Sequence, residues 1–198
     1  RDPRESFEAV EFSPEIRERY FSIVKTNANQ LLSIIDDVLE VSRLDTGRIP
    51  LHKVQFSLND LMEEIQISLQ DAVSAKGLHL WFRVDSAGDN DFVVADIEKI
   101  RQVITGLVGN ALKFTAKGSI SFGCNKTQDH LEIFVRDTGI GISLEHHEKI
   151  FERFFQVPQE TPTGMSGTGL GLSIARGLAE VMEGTIRVES VPGAGSVF

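Results

Sequence analysis

The sequence has few cysteines, no long apolar run and no excess of basic residues. Its single cysteine, Cys124, excludes an internal disulfide and a multi-cysteine metal site. No apolar run approaches the roughly 18 to 20 residues that cross a bilayer, and no signal peptide is visible, so we expect no membrane contact within these residues. The formal net charge of -9 argues against nucleic acid as the main partner, because phosphate backbones select basic surfaces.

What is present is the composition of an ordinary globular protein. Hydrophobic residues make up 41% and charged residues 25% of 198 residues, enough for one full domain and a smaller element. The lone cysteine suits a reducing compartment. The sequence opens on the charged letters RDPRES without Met and stops at GAGSVF, so we expect an excised piece of a longer protein.

Residues 13–46 are predicted to form one long helix. Ser13 suits the N-cap, Pro14 suits the first helical position, and Gly47 is placed to end the helix. Apolar or seam-compatible residues recur every three or four positions, at Ile16, Tyr20, Ile23, Asn27, Leu31, Ile34, Val38 and Val41. Such a helix needs partner helices in a bundle or a dimer. We therefore predict a partial bundle domain over 1–50 and a second domain over 51–198.

Beyond residue 50 the pattern changes to short strands mixed with helices. The predicted strands are 54–58, 78–85, 92–95, 118–126, 130–137 and 185–190. The predicted helices are 59–77, 97–115, 144–152 and 170–183, with an irregular segment over 154–168. This order, which includes a hairpin, predicts an α+β fold: a two-layer α/β sandwich with a mixed sheet and helices on one face.

The motif DTGIG, residues 137–141, follows a predicted strand. It places the Asp137 carboxylate at a strand end, where it can accept a hydrogen bond from an exocyclic amine such as that of adenine. Its glycines let the backbone approach a flat ligand closely. The same letters also fit an ordinary turn.

The motif GNALKFT, residues 109–115, lies on a predicted helix. Asn110 and Lys113 are three positions apart and share a helix face. An amide oxygen can ligate magnesium and an ammonium can meet a phosphate. Phe114 could stack on a base or lie in the core, and Asn110 could be a solvated polar position.

The glycine-rich stretch GMSGTGLGLS, residues 164–173, precedes the last predicted helix. It is not a Walker loop, because no Lys-Ser/Thr pair follows a Gly-x4-Gly. It is not a Rossmann fingerprint either, because Leu172 stands where the third glycine belongs. The stretch is either a mobile linker or a loop that delivers backbone amides at a helix N-terminus.

In combination, NALKFT, DTGIGI, IFERFFQ and GTGLGLSIARGL resemble the Asn box, first glycine box, Phe box and second glycine box of the catalytic ATP-binding domain of bacterial sensor histidine kinases. NQLLSIIDDVLEVSRLDTG resembles the second helix of that family's dimerisation and phosphotransfer domain. The resemblance covers about residues 13–198. It implies the ATP-binding fold shared by histidine kinases, gyrase and chaperone ATPases, with ATP and Mg²⁺ as ligands.

The resemblance implies a role for each matching residue. Asn110 would ligate magnesium, Lys113 would contact phosphate, and Phe114 would flank the adenine. Asp137 would accept from the adenine amine, at an end of the pocket that Gly139 and Gly141 shape. Phe151, Phe154 and Phe155 would pack the base of a lid over 154–168, which would hinge on Gly167, Gly169 and Gly171. Thr168 and Leu170, between these glycines, would also contact the nucleotide.

The resemblance also implies partners for the parent protein. These are a response-regulator receiver domain and a second copy joined through the bundle helices. The implied location is cytoplasmic, and an inner-membrane anchor carried by other segments stays open.

Three departures from the family pattern shape the functional alternatives. Gly106 stands where many relatives carry Asn, and Gln156 where many carry Arg. None of the five histidines, His52, His79, His130, His146 and His147, has the context of the phosphoacceptor, so we expect the first bundle helix to be absent and this chain alone not to autophosphorylate. The alternatives are a nucleotide-binding regulatory module with little catalysis, and an ATP-hydrolysing relative, against which Gly106 argues.

Overall fold

A long helix opens the part of the chain that the computed structural model describes, which comprises residues 13–47, 49–86, 91–157 and 167–198. This helix, α1, spans Pro14–Asp45. The Ile16 N–H donates to the Ser13 hydroxyl at 3.4 Å, and Gly47 follows the last turn with φ 60°. Both ends agree with the predicted cap and stop signals within one residue.

Chain contacts divide the protein into two compact units, Arg1–Leu39 and Glu40–Phe198. In the first unit α1 exposes a row of large apolar side chains: Ile16, Tyr20, Phe21, Ile23, Val24, Leu31, Leu32, Ile35, Val38 and Leu39. A helix with so much exposed apolar surface is typical of one that packs on other helices. In the described ranges, no helix combines the length and apolarity that a membrane span requires.

The second unit contains an α+β fold with two sheets. Its elements are β1 (Val54–Ser57), α2 (Leu58–Ala75), β2 (His79–Ser86), β3 (Phe92–Ala95), α3 (Ile97–Phe114), β4 (Ser119–Lys126), β5 (Leu131–Asp137), α4 (Gly171–Val181), β6 (Glu189–Val191) and β7 (Gly195–Val197). The main sheet has the order β2-β4-β5-β7-β6, with β2 and β4 parallel and the other neighbours antiparallel. Strands β1 and β3 form a separate antiparallel pair. The predicted mixed sheet with helices is confirmed.

Helix α3 is the central helix of the core. The Lys99 N–H donates to the Asp96 carboxylate at 3.1 Å and caps the start of α3. One face of the helix is buried, comprising Ile100, Val103, Ile104, Leu107, Val108, Ala111 and Leu112. This face packs into one cluster with apolar residues of α2, α4 and the main sheet. The opposite face, which carries Gly106, Asn110 and Lys113, is therefore left for other contacts.

Two predicted elements are wrong. Residues 144–152 form two 3₁₀ turns, Leu144–His146 and Lys149–Phe151, instead of a helix. Leu144 is 80% exposed, whereas Ile150 and Phe151 are buried. The segment therefore lacks the continuous apolar stripe that an amphipathic helix would bury. The predicted strand 185–190 is reduced to Glu189–Val191, and its partner β7 was not predicted, because three-residue strands are too short for an alternating pattern.

Candidate functional site

The outward face of α3 carries the predicted phosphate and metal residues. Asn110 and Lys113 are both partly buried there, one turn apart. Burial lowers the pKa of the Lys113 ammonium from its usual 10.5. The Lys113 Nζ atom lies 5.0 Å from the centre of the Phe114 ring, which is itself 37% exposed. Phe114 therefore stands beside the cation and outside the core.

The second glycine box lies against this face of α3. A β-carbon placed on Gly167 would stand 2.6 Å from Lys113 Nζ, and one placed on Gly171 would stand 3.9 Å from Asn110 Nδ2. The start of α4 therefore faces the polar side of α3. The N-cap residue of α4, Leu170, makes no side-chain cap hydrogen bond among the described residues, so the first N–H groups of α4 can receive an anion.

Asp137 lies at the end of β5 and is 93% buried, with only 7% exposed. The Gly139 N–H donates to its Oδ1 atom at 2.7 Å, and Ser196 donates through its backbone N–H and its hydroxyl. Burial raises the pKa of the Asp137 carboxyl above its usual 3.8, against the opposing effect of these hydrogen bonds. The site thus holds an oriented acceptor with an elevated proton affinity.

The first glycine box joins Asp137 to α3. A β-carbon on Gly139 would stand 2.5 Å from the Phe114 carbonyl oxygen, and the Ile140 N–H donates to that same oxygen at 3.3 Å. Gly141, with φ 68°, packs so closely on the Val191 carbonyl that no side chain fits. The structure thus brings Phe114, Asp137 and Gly139 together.

The first part of the second glycine box, residues 167–171, is joined to the Phe box by two hydrogen bonds. The Phe154 N–H donates to the Gly169 carbonyl at 2.9 Å, and the Gln156 side-chain amide donates to the Gly167 carbonyl at 2.5 Å. Leu170 is buried in the core, and its N–H donates to the Thr168 hydroxyl at 3.1 Å. The lid residues 158–166 lie outside the described residues.

The three phenylalanines of the Phe box have different surroundings. Phe151 is buried and meets Phe198 edge-on at 6.3 Å between ring centres. Phe155 contacts the His146 ring at 5.7 Å. Phe154 is 68% exposed and adopts φ 62°, which places its backbone against Gly169.

Any metal at this site would rest mainly on Asn110. Across the described residues, no group of three or more His, Cys, Asp and Glu side chains could hold a metal ion. The Asn110 amide has no hydrogen-bond partner in that part of the chain, and its oxygen is the hard donor that magnesium prefers. Magnesium usually completes its shell with water and substrate phosphates, so a single protein oxygen fits this ion.

Two contacts of the site were not predicted from the sequence. Ser196 reaches Asp137 because β7 pairs with β5 in the register Asp137 to Ser196. Arg153 forms a two-pronged ion pair with Asp45, in which Nη1 lies 2.8 Å from Oδ2. The serine in GAGSVF does not by itself predict the contact with Asp137. The partners of the ion pair, Asp45 and Arg153, are 108 residues apart, so no local pattern links them.

Comparison with known proteins identifies close relatives of this arrangement. Residues 95–198 match the family model for the histidine kinase-, DNA gyrase B-, and HSP90-like ATPases. The chain is 39% identical over 185 residues to Histidine protein kinase 1 of Candida albicans, covering 90% of this chain and 7% of that protein. It is 37% identical over 195 residues to the signal transduction histidine-protein kinase BarA of Escherichia coli K12, covering 96% of this chain and 21% of BarA. The chain thus spans only 7% and 21% of the lengths of these two proteins.

Solved structures agree with this relationship. Full-length ShkA in complex with AMPPNP matches with a TM-score of 0.81 and 28% identity, over 95% of this chain and 38% of ShkA. Histidine kinase ThkA in complex with the response regulator TrrA matches with a TM-score of 0.70 and 27% identity, over 94% of this chain and 51% of ThkA. The chain therefore belongs to the histidine kinase-, DNA gyrase B- and HSP90-like ATPase family, on the side of the histidine kinases that its named relatives represent.

Proposed function

We propose that this chain binds ATP between α3, the end of β5 and the start of α4. The observation that carries the proposal is that an oriented carboxylate, Asp137, and a cation beside an uncapped helix start, Lys113 and α4, flank the same helix face. The adenine amine would donate to Asp137 and the base would lie along Phe114, in the space that Gly139 and Gly141 leave. Lys113 and the first amides of α4 would receive the phosphates. The structure of ShkA holds AMPPNP, which supports this assignment.

Asn110 would hold a magnesium ion in this complex, with phosphate oxygens and water as the other ligands. That ion would neutralise phosphate charge during transfer. The Asn110 amide oxygen would ligate the ion from the outward face of α3, and the Lys113 ammonium would contact a phosphate. The two groups are one helical turn apart on the same face, so they can contact neighbouring phosphates.

The proposed reaction is transfer of the γ-phosphoryl group to a histidine of the parent protein. The bond between the γ-phosphorus and its bridging oxygen breaks, a phosphorus–nitrogen bond forms on the imidazole, and ADP leaves. This chain contributes mostly positioning and charge neutralisation. None of its histidines lies on a bundle helix: they occupy loops, a strand start, a 3₁₀ turn and the residue after it. The acceptor is therefore proposed to be on a helix of the parent outside these residues.

The parent's partners are part of the same proposal. A receiver domain of a response regulator would take the phosphoryl group on an Asp, as the ThkA complex with TrrA suggests. A second copy would pair with the exposed apolar row of α1 in a four-helix arrangement. A cytoplasmic location, where ATP is available, is proposed for these 198 residues.

Calorimetric titration with ATP, with and without Mg²⁺, tests the binding proposal. Asn110→Ala should abolish most of the magnesium dependence and leave metal-free binding nearly intact. Asn125→Ala is the matched control, because this asparagine bonds to Glu132 on the sheet and lies outside the proposed site. Equal magnesium dependence in the wild type and in Asn110→Ala would contradict the assignment.

Labelled ATP tests the kinase proposal. The chain alone should not retain label, whereas the parent protein should form phosphohistidine. Stable stoichiometric label on this chain would show that the acceptor lies within it.

A second candidate function is nucleotide binding with little catalysis. Gly106 leaves open space one turn before Asn110, and Gln156 is engaged with the Gly167 carbonyl, so neither contributes to phosphate neutralisation. Tight ATP binding by a parent that forms no phosphohistidine, together with a gain of phosphotransfer in Gly106→Asn, would favour this module. Steady phosphate release from the wild-type chain, lost in Asn110→Ala, would instead favour an ATP-hydrolysing relative.

A further inference from the structure

The last turn of α1 is held to the Phe box by one ion pair. Arg153 meets both carboxylate oxygens of Asp45, 108 residues earlier in the sequence. The hydrogen bonds from Arg153 lower the pKa of the Asp45 carboxyl, so the pair stays charged below neutral pH. Both side chains are about half exposed, at 46% and 51%, and an exposed pair contributes little to the stability of a fold.

The same segment that carries Arg153 holds the lid end. Phe154, the next residue, donates its N–H to Gly169, and Gln156 donates its side-chain amide to Gly167. Gly167 in turn lies against the Lys113 ammonium. An unbroken run of contacts therefore joins Asp45 to the proposed phosphate end of the site.

A second contact keeps the last turn of α1 in place. The Leu44 side chain lies on Gly177 of α4, where a β-carbon would stand 2.8 Å from one of its methyl carbons. Nearby, Lys99 of α3 pairs with Glu40 at 2.9 Å. These two contacts hold the last turn of α1, and therefore Asp45, in place. The ion pair then holds Arg153 next to Asp45.

We infer that Arg153 is a positioning residue for the nucleotide lid and that Asp45 sets its position. The inference rests on the proposed nucleotide binding. The ion pair restrains residues 153–156, and these residues restrain Gly167 and Gly169. Without the pair, residues 153–156 together with Gly167 and Gly169 gain conformational freedom in the nucleotide-free protein, and binding must then remove that freedom. Nucleotide should also stabilise the last turn of α1, because coupling between two sites is reciprocal.

The test compares four variants with the wild type by nucleotide titration, release kinetics and thermal unfolding. Arg153→Ala and Asp45→Asn should each weaken ATP binding about fivefold, mainly through faster release, with no change in melting temperature beyond that of a surface substitution. Asp45→Arg combined with Arg153→Asp should recover most of the lost affinity. Arg187→Ala is the matched control, since Arg187 also forms an exposed ion pair between distant segments, with Glu132.

Hydrogen exchange supplies a second readout. In the wild type, ATP should slow exchange in residues 40–47, and in Arg153→Ala this protection should be absent. Wild-type affinity in a folded Arg153→Ala protein, or equal protection of residues 40–47 in both proteins, would overturn the inference while leaving the proposed function intact. Absence of ATP binding by the wild type would overturn both.

Discussion

The backbone N–H of Gly139 points at the carboxylate of Asp137 and donates to it across 2.7 Å. Ser196 holds the same carboxylate from the neighbouring strand. The acceptor is therefore oriented before any ligand arrives, which reduces the ordering cost of binding.

Asp137→Asn should weaken ATP binding and leave the fold intact. The amide replaces an ionised acceptor with a neutral group that presents donors to the adenine amine, at a cost of about 2 kcal/mol, or roughly 30-fold in affinity. Titration calorimetry measures the loss, and thermal unfolding checks the fold. Asp129→Asn, in an exposed loop, is the control. Wild-type affinity in Asp137→Asn would refute the role of Asp137.

As the pH is lowered, the affinity for ATP should fall in the wild type more than in Asp137→Asn. Because burial raises its pKa above 3.8, this carboxylate becomes protonated at a higher pH than an exposed aspartate and loses its charge as an acceptor. Because its pKa is higher in the folded state than in the unfolded state, the ionised Asp137 carboxylate destabilises the folded protein at neutral pH. This destabilisation decreases as the pH falls through the folded-state pKa. The difference in melting temperature between Asp137→Asn and wild type should therefore narrow on acidification. A constant difference would contradict the pKa assignment.

Gly106→Ala should stabilise the protein by up to about 1 kcal/mol, because glycine in a helix interior costs that much relative to alanine. Among the described residues, apart from its chain neighbours and the backbone of α3, no atom lies within 4 Å of the added methyl group. Gly177→Ala is the matched comparison, because its methyl group would meet the Leu44 side chain at 2.8 Å and should gain less or lose stability. Urea unfolding of both variants measures the contrast. A larger increase in the free energy of unfolding for Gly177→Ala than for Gly106→Ala would be inconsistent with the packing of Leu44 on Gly177.

Lys99→Met should destabilise the Glu40–Phe198 unit by up to about 3 kcal/mol. It removes the closer of two cations at Glu40, whose side chain is only 10% exposed, and leaves the carboxylate with the exposed Arg43 guanidinium at 3.7 Å. Adding Glu40→Met should restore most of the loss, since replacing both members of a buried pair by apolar groups is often neutral. Arg83→Met, which breaks an exposed pair with Asp85, is the control and should have a small effect. Equal effects of Lys99→Met and Arg83→Met would contradict the burial of this pair.

Gly169→Ala should lower both stability and ATP affinity. Gly169 has φ 71°, and a β-carbon there would stand 2.8 Å from the Phe154 backbone, so the change carries a cost of about 1 to 3 kcal/mol. Gly193→Ala separates the two causes, because Gly193 has φ 80° and an added β-carbon there would meet no described atom within 4 Å beyond its chain neighbours. Thermal unfolding and ATP titration measure each variant. If Gly193→Ala costs as much stability as Gly169→Ala, the close approach to Phe154 has no role.

Much of the fold could be predicted because its long elements carry strong local signals. The side-chain cap of α3 at Asp96 and the positive φ angles of Gly47 and Gly77 mark helix ends through local interactions. Strands β4 and β5 are long enough to alternate, and their hairpin follows. Strands β6 and β7 have three residues each, and their pairing depends on Pro192–Ala194 turning tightly, which no periodicity reveals.

The candidate site contains both predictable and unpredictable residues. Asn110, Lys113 and Asp137 belong to motifs with characteristic spacing, so the sequence alone predicts them as site residues. Ser196 and the pair of Asp45 with Arg153 depend on which distant segments meet, and this is settled by tertiary packing. The exposed Phe154 is a further example, since its positive φ follows from its hydrogen bond to Gly169 and is unusual for an aromatic residue.

The contacts of the last turn of α1 determine how far this protein can be shortened from its N-terminus. A shortened chain that starts at Glu40 keeps the carboxylate for Lys99, the cover for Gly177 and the anchor for Arg153. One that starts at Leu51 retains every nucleotide motif yet loses all three. We therefore expect that the smallest piece that binds nucleotide like the full 198 residues starts near Glu40, earlier in the sequence than the motifs alone would indicate.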